Sequence, residues 1–384
     1  MKKINFIVSI LCLLGMSSGI NAQVLGEGVN FTQTYELGSA RTAAMGGAFA
    51  AVGGELGAIN NNPASLGVLR NGVFQFSPML VNSKSSNTLV SGGSFNNSAF
   101  TSNYNNFMLS NMGIAFSWEG RGSVENINLG VVFNRKNDFN FEHQILGQNN
   151  VSLIDFFVDD ANSYSDFDPF TSGLAYEGYL INPNEANDGY VKADYNLPVE
   201  QNKTISERGQ ITDWDFALGM NISHKLYIGA SFGYMNLMYS NNSVHTEQDS
   251  ADMFDYLYYL DVVGRGFDFN AGIIYRPVQF LRIGFAYHSP TITSYEEEVS
   301  PILYSAYAEN PDSPIYPTDG SNFNIIGYDD YNLKSPQKIT GGLAFLFGKM
   351  GLISVDVDYI DYTNMEYRNS SSGAELNSDI IESL

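Results

Sequence analysis

Between Thr212 and Ile222 the chain alternates without a break: Thr212, Trp214, Phe216, Leu218, Met220 and Ile222 fall on one side, Asp213, Asp215, Ala217, Gly219 and Asn221 on the other. Side chains alternate faces along a strand, so this segment has one greasy face and one small or charged face. Leu226 to Tyr234 repeats the pattern, with Leu226, Ile228, Ala230, Phe232 and Tyr234 opposite Tyr227, Gly229, Ser231 and Gly233. Only Ser223 to Lys225 separate the two segments, which predicts a hairpin.

The same grammar recurs along the chain. Met112 to Trp118 and Asn126 to Phe133 make a second hairpin; Phe267 to Tyr275 and Leu281 to His288, across Arg276 to Val278, make a third; Ile339 to Phe347 and Ile353 to Tyr359 make a fourth. A single strand from Gly72 to Asn82 precedes them all. The count is about nine strands, most of a length that crosses a bilayer at a tilt. Short turns alternate with long polar segments near 83–110, 136–209, 240–263, 290–335 and from 364 onward. Short turns at one end and long loops at the other are the signature of a transmembrane barrel. In hydrocarbon every backbone group needs an internal partner, so an outward greasy face belongs on a closed sheet. The expected fold class is therefore all-β, a transmembrane antiparallel β-barrel. Nine strands is an odd number and the last leads into a polar stretch ending at Leu384, so the barrel is expected to be incomplete at the C-terminus.

Composition supports this. Charged residues make up 16% and aromatics 14%, with 37 glycines; soluble domains carry about 25% charge. The start, Met1-Lys2-Lys3 followed by an apolar stretch from Ile4 to Met16 and a small residue at Ala22, reads as a secretory signal peptide over residues 1–22. The only cysteine, Cys12, lies within it, so the mature chain is expected to have no disulfide and no thiolate site. The formal charge of -22 repels phosphate backbones and argues against nucleic acid as a partner.

Residues 23–71 lack the alternation, and SARTAAMGGAFAAVGGELGAINNNPASLG is dense in Gly and Ala. Its glycines do not form a dinucleotide pattern, and small residues suit a compact plug inside a lumen. Arg41, the GGAF run from Gly46 to Phe49 and the Asn62-Pro63-Ala64 triplet, followed by a strand, resemble the FadL/TodX family of outer-membrane transporters, especially members from Bacteroidetes. The stretch AGIIYRPVQFLRIGFAYHSPT from Ala271 to Thr291 is similar as well. The resemblance implies a fourteen-stranded monomeric barrel, of which residues 72–384 hold about nine strands, with residues 23–71 as an N-terminal hatch. It implies passive uptake of long-chain fatty acids or aromatic hydrocarbons, an outer-loop groove that receives them, contact with outer-membrane lipid and lipopolysaccharide, and a kink in the third strand that opens the wall sideways.

Two apolar stripes at helical spacing fall in predicted outer loops: Leu153, Ile154, Phe156 and Phe157 within Ser152 to Tyr164, and Met253, Phe254, Leu257, Tyr258 and Leu260 within Ala251 to Leu260. Of these, Leu153, Phe156, Phe157, Met253, Phe254, Leu257 and Tyr258 are the candidates for the groove, the alternative being that they pack the loops together. Gly130, in the third strand, is the candidate kink. Asn62 and Pro63 are expected to hold the hatch rather than touch cargo. Asp155, Asp159, Asp160, Asp166 and Asp168 offer carboxylates for calcium but lack EF-hand spacing, which favours solvated charge. His143, His224, His245 and His288 are scattered, and no GxSxG or P-loop occurs, so neither an enzyme nor a cofactor is expected. The leading expectation is a hydrophobic-compound transporter; the alternatives are a docking barrel of protein secretion and a general porin.

Overall fold

The computed structural model describes residues 24–33, 35, 38–89, 99–164, 166–193, 195–249, 253–305 and 325–373. The expected signal peptide lies outside the described residues. The strands run in chain order as β1 Val73–Asn87, β2 Phe100–Glu119, β3 Val124–Asp138, β4 Phe141–Asn149, β5 Ile181–Pro183, β6 Tyr190–Lys192, β7 Val199–Ile222 and β8 Leu226–Gln248. They continue as β9 Met253–Val278, β10 Leu281–His288, β11 Ile292–Ser305, β12 Gly327–Lys334, β13 Lys338–Leu346, β14 Leu352–Ile360 and β15 Glu366–Asn369.

One antiparallel wall takes the order β1-β2-β3-β7-β8-β9-β10-β13-β14, built from the nine alternating segments. Four of its strands are broken in two. β4 resumes β3 alongside β7, β11 resumes β10 alongside β9, and β12 and β15, which pair with each other, stand above β13 and β14. β5 and β6 form a separate hairpin in the outer segment. Much of what reads as loop is therefore strand: β7, β8 and β9 are 24, 23 and 26 residues long. A tilted strand needs only about ten residues to cross hydrocarbon, so these three rise well beyond it.

The outward face is apolar. Phe116 is 53% exposed, Phe216 55%, Phe285 52% and Val357 68%, while the intervening Ala115, Ala217, Ala286 and Asp215 are buried. An apolar belt of this extent is stable only against lipid or another apolar surface. Among the described residues no helix is long and apolar enough to cross a membrane, and the strands carry the belt instead. At the short-turn end, Ser223 and His224 both take positive φ, the geometry of the two-residue turn whose twist matches a hairpin. Asn221 Oδ1 accepts from the His224 N–H at 3.1 Å and holds that turn.

The interior is filled by the N-terminal segment. It forms helix α1 Val24–Thr32, a short helix α2 Ala40–Ala44, and 3-10 turns at Leu56–Ala58 and Pro63–Val68. Ser39 caps α2 by accepting from the Arg41 and Thr42 N–H groups. Leu56, Ile59 and Leu66 pack against Ala115, Val132 and Ala217 of the wall; Phe49, Ala51, Val52 and Ala58 pack against Ala344. Wall glycines permit this approach: a Cβ at Gly229 would collide with Pro63, one at Gly272 with Asn62, and one at Gly284 with Ala50.

Candidate functional site

Asn62 joins this inner segment to the wall. Its Oδ1 accepts from the Ala64 N–H at 2.9 Å, capping the 3-10 turn that Pro63 opens. Its Nδ2 donates to Ala50 O at 2.7 Å and more weakly to Ile273 O at 3.3 Å and Phe285 O at 3.4 Å, on β9 and β10. The wall returns the contact from β3, where Asn126 Nδ2 donates to Leu69 O at 2.6 Å. Arg41 stands over the Phe49 ring at 5.3 Å and is exposed on its other side.

Besides shifts near the short turns, at Val124/Asn126 and Leu281/Ile283, the wall is irregular at one level further out. β1 and β2 pair continuously except between Ser77 and Pro78, where Ser110 is the extra residue of β2. β3 and β7 slip between Arg135 and Asn137, leaving Lys136 as the extra residue of β3. A bulge re-aims side chains and interrupts the ladder. Ser110 turns inward and donates to Gly38 O at 2.5 Å, and the Lys136 carbonyl accepts from the Tyr35 N–H at 2.8 Å. Pairing of β2 with β3 runs from Glu119↔Asn126 to Asn111↔Asn134 and stops there. Above that point the two strands part, and their side chains bridge the space: Asn106 Nδ2 donates to both oxygens of Asp138 at 3.1 Å.

The Lys136 bulge also organises the lumen. Its ammonium lies 2.5 Å from Asp213 Oδ2 and 3.2 Å from Asp268 Oδ2. Asp215, which accepts from Asn134 Nδ2 at 3.1 Å, completes a buried group of three carboxylates. Gly233, paired with Asp215 on one side and Asp268 on the other, leaves the room in which those carboxylates converge. His288 extends the network, its Nδ1 lying 2.9 Å from Asn270 Oδ1 and its Nε2 3.3 Å from Asn61 O. This polar layer separates the inner turns around Leu56 and Leu66 from a packed apolar cluster above them, where Phe31 of α1 stacks on Tyr295 at 5.6 Å beside Leu237, Leu260, Val262 and Leu333.

Of the cavities that open here, two lie beside apolar surface. One, of about 380 Å³, lies beside the parted strands and is lined by Asn30, Gln33 and Tyr35 of the N-terminal segment together with Val81, Met108, Asn137–Phe141, Glu207 and Tyr239. The other, about 30 Å³, sits between Phe31, Met235, Tyr295 and Leu333 with Lys136 at its edge.

The outer-loop residues form a different arrangement from the expected groove. Helix α3, Leu153–Ser163, occupies the first stripe, and a short helix α4, Ser172–Glu177, packs beside it. Phe157 and Phe254 are buried with Ile154, Leu174, Leu180, Ile181 and Leu303 in a closed core, and Leu153 packs against it. Their apolar surface is used up inside this cap. Phe156 points outward and is 52% exposed. The second stripe is not a helix. Met253 to Leu260 is the outer end of β9, paired with β8 from Gln248↔Met253 to Asn241↔Leu260 and with β11 on its other side. Met253 and Leu257 are half-buried along that strand, and Tyr258 packs against the apolar cluster around Phe31 instead. Glu247 fastens the cap to the wall by accepting from Ser152 Oγ at 2.5 Å, the Leu153 N–H at 2.7 Å and Gln201 Nε2 at 2.8 Å.

The acidic residues of this loop do not gather around one point. Asp160 accepts from Thr171 Oγ1 and Asp168 from the Phe170 N–H. Asp155 completes the α3 capping box with Ser152 and pairs with Lys192 at 2.9 Å. Burial alone would raise the Asp155 pKa, but hydrogen bonds from Lys192, the Ser152 N–H and Tyr195, with the Lys192 charge, hold it below the usual carboxylate value.

Gly130 is not a kink. β3 pairs in unbroken register with β7 from Asn126 to Arg135, and Gly130 faces Leu66, which a Cβ there would approach to 3.3 Å. Its smallness serves packing of the inner segment, and the break in β3 falls at Lys136.

No family model matches the chain, and no curated protein matches it. Among solved structures, a FadL homologue from Pseudomonas aeruginosa aligns at 11% identity and a TM-score of 0.48, over 90% of this chain and 72% of that one. OmpT of Vibrio cholerae, an outer-membrane protein, aligns at 11% identity and a TM-score of 0.14, over 80% of this chain and 94% of that one.

Proposed function

We propose that this chain is an outer-membrane transport barrel that admits hydrophobic compounds by diffusion, with the N-terminal segment as its plug and the parted strands β2 and β3 as a sideways passage. One observation carries the reading: the strands part at paired bulges, Ser110 and Lys136, beside an open pocket of about 380 Å³ and a buried apolar cluster, while the segment below is packed. A general porin keeps an open polar channel, which the packing of Leu56, Ile59 and Leu66 opposes. The sequence resemblance to FadL/TodX transporters supports long-chain fatty acids or aromatic hydrocarbons as cargo classes. Cargo would reach the lumen from the outside, rest against Phe31, Tyr239 and Tyr295, and leave past Asn106 and Asp138.

The test is uptake of a labelled long-chain fatty acid and a labelled aromatic hydrocarbon by cells lacking their own transporter. Expression of this protein should restore uptake of at least one. Met108→Trp, which fills the cavity beside the parted strands, should abolish it while leaving barrel assembly intact. An assembled barrel that takes up neither compound overturns the transport reading and directs the search to a protein partner.

A further inference from the structure

We infer that, of the cargo classes above, the passage rejects carboxylate-headed amphiphiles and admits hydrophobic molecules that carry no charge, with or without a hydrogen-bonding head group. This rests on the transport reading above and narrows it. A site for an ionised fatty acid needs a cation with charge to spare next to apolar surface. Lys136 stands at that position, at the edge of the cavity beneath Phe31 and Tyr295. Its charge is already committed, since Asp213 and Asp268 hold the ammonium and Asp215 adds a third buried carboxylate. As long as one of the three is ionised, the group carries no net positive charge, and each further ionised carboxylate repels an incoming anion through a poorly screening interior. Lys338 lines the neighbouring polar space, where it shares the walls with Asp268 and His288.

The larger cavity has the same sign. Its charged lining residues are Asp138 and Glu207. Asp138 is paired with Arg135 at 3.1 Å, whereas Glu207 accepts from the neutral Tyr239 hydroxyl at 2.9 Å and has no ion-pair partner among the described residues. Arg208, next in sequence, turns to Glu142 and the Phe141 carbonyl. The cavity's uncharged polar lining consists of the amides of Asn30, Gln33, Asn137 and Asn140 and the hydroxyls of Ser83, Tyr35 and Tyr239. Asn137 and Asn140 already donate to the Asn30, Gln33 and Gly209 carbonyls and to Asp138, so the Asn30 and Gln33 amides and the Ser83 and Tyr35 hydroxyls are the groups that donate to and accept from a hydroxyl or an amide. The arginine Arg282 lies at the short-turn end, beyond the plug, and donates to the Val52 carbonyl. Apolar walls, amide donors and acceptors, and carboxylates facing inward suit a long-chain alcohol, a phenol or a fatty amide.

The experiment compares two probes that differ only at the head, oleyl alcohol and oleate, binding to the full-length protein in lipid nanodiscs at a pH where the acid is ionised. The alcohol should bind at least about tenfold more tightly, a difference of about 1.4 kcal/mol. Glu207→Gln, a change at the cavity edge that preserves shape, should narrow the ratio by strengthening oleate binding. Asp268→Asn, which frees part of the Lys136 charge, should narrow it further. Oleate binding as tightly as the alcohol overturns the inference and leaves transport standing. A ratio that neither variant changes also overturns it, because the discrimination would then not come from these charges. Failure of both probes to bind, in a folded barrel, removes the transport reading itself.

Discussion

The Asn128 side-chain amide donates to the Leu66 carbonyl at 2.5 Å and to the Leu69 carbonyl at 3.0 Å, so a wall strand satisfies the end of the 3-10 turn Pro63–Val68. The Leu66 carbonyl also accepts from the Leu69 N–H at 3.2 Å and the Leu69 carbonyl from Asn126 Nδ2 at 2.6 Å, so Asn128 adds a second donor to each, and a hydrogen bond of this kind contributes about 0.5–1.5 kcal/mol net. The plug is therefore held by borrowed hydrogen bonds as well as by the packing of Leu66 on Val132 and Ala217.

Asn128→Leu tests that lock. The leucine keeps the volume and removes the donor, so the plug should loosen by about 1–3 kcal/mol while the wall, whose ladder bonds are backbone only, stays assembled. Single-barrel conductance in a planar bilayer should change from closed to intermittently open. A variant that stays as tight as the parent would show that packing alone secures the plug.

Lys136→Met tests the lumen cluster. Three buried carboxylates would lose their counter-ion, and removing one partner of a buried ion pair costs about 3–5 kcal/mol. The barrel should unfold at a lower temperature when its heat-dependent gel mobility is followed. Adding Asp213→Asn and Asp268→Asn to the same chain should recover most of the loss, because the repulsion disappears with the charges. Loss without recovery would assign the lysine a packing role.

The reach of the sequence is clear at these same residues. Alternation places Trp214, Phe216 and Leu218 on one face and Asp213, Asp215 and Ala217 on the other, and the structure exposes the first set and buries the second. It does so because strand period is a local property of the backbone. Lys136 is beyond such reading: it enters the lumen only because β3 slips by one residue against β7, and a slip is set by long-range pairing. Met253 to Leu260 has apolar residues at helical spacing, yet β8 and β11 flank it and supply ladder bonds on both sides. Aromatic residues such as Tyr256, Tyr258 and Tyr259 suit that strand well. Helix α3 is legible by contrast, since Ser152 and Asp155 carry its capping box in the sequence itself. Which of its phenylalanines faces in is settled by Leu303 and Phe254, far away in the chain.

That facing gives a paired prediction. Phe157→Asp puts a charge into the cap core and should release α3, seen as rapid protease cleavage between residues 150 and 198, with a loss of about 3–5 kcal/mol in local stability. Phe156→Asp, on the exposed side, should change cleavage by less than about 0.5 kcal/mol. Equal effects of the two would contradict the packing. Uptake measured on both variants then separates the two uses of the loop: a groove contact would require loss in Phe156→Asp although the cap is intact.

The cap should also loosen in acid, and the sign follows from Asp155. Its pKa is held below the usual value in the folded cap, so the proton binds more weakly there than in the unfolded loop. The resulting stability is present above the unfolded value of about 3.9 and is lost as pH falls through the folded value. Lys192 is 47% and Asp155 35% exposed at the side chain, so solvent screens the pair and the effect is small. Amide hydrogen exchange of Leu153–Ser163, followed from pH 6 to pH 3 and corrected for the intrinsic rate, should show protection falling at the acid end. Lys192→Met should shrink that fall by removing both the charge and the hydrogen bond, and Asp155→Asn should flatten it. If Asp155→Asn loosens in acid as the parent does, the Asp155 carboxylate is not the sensor.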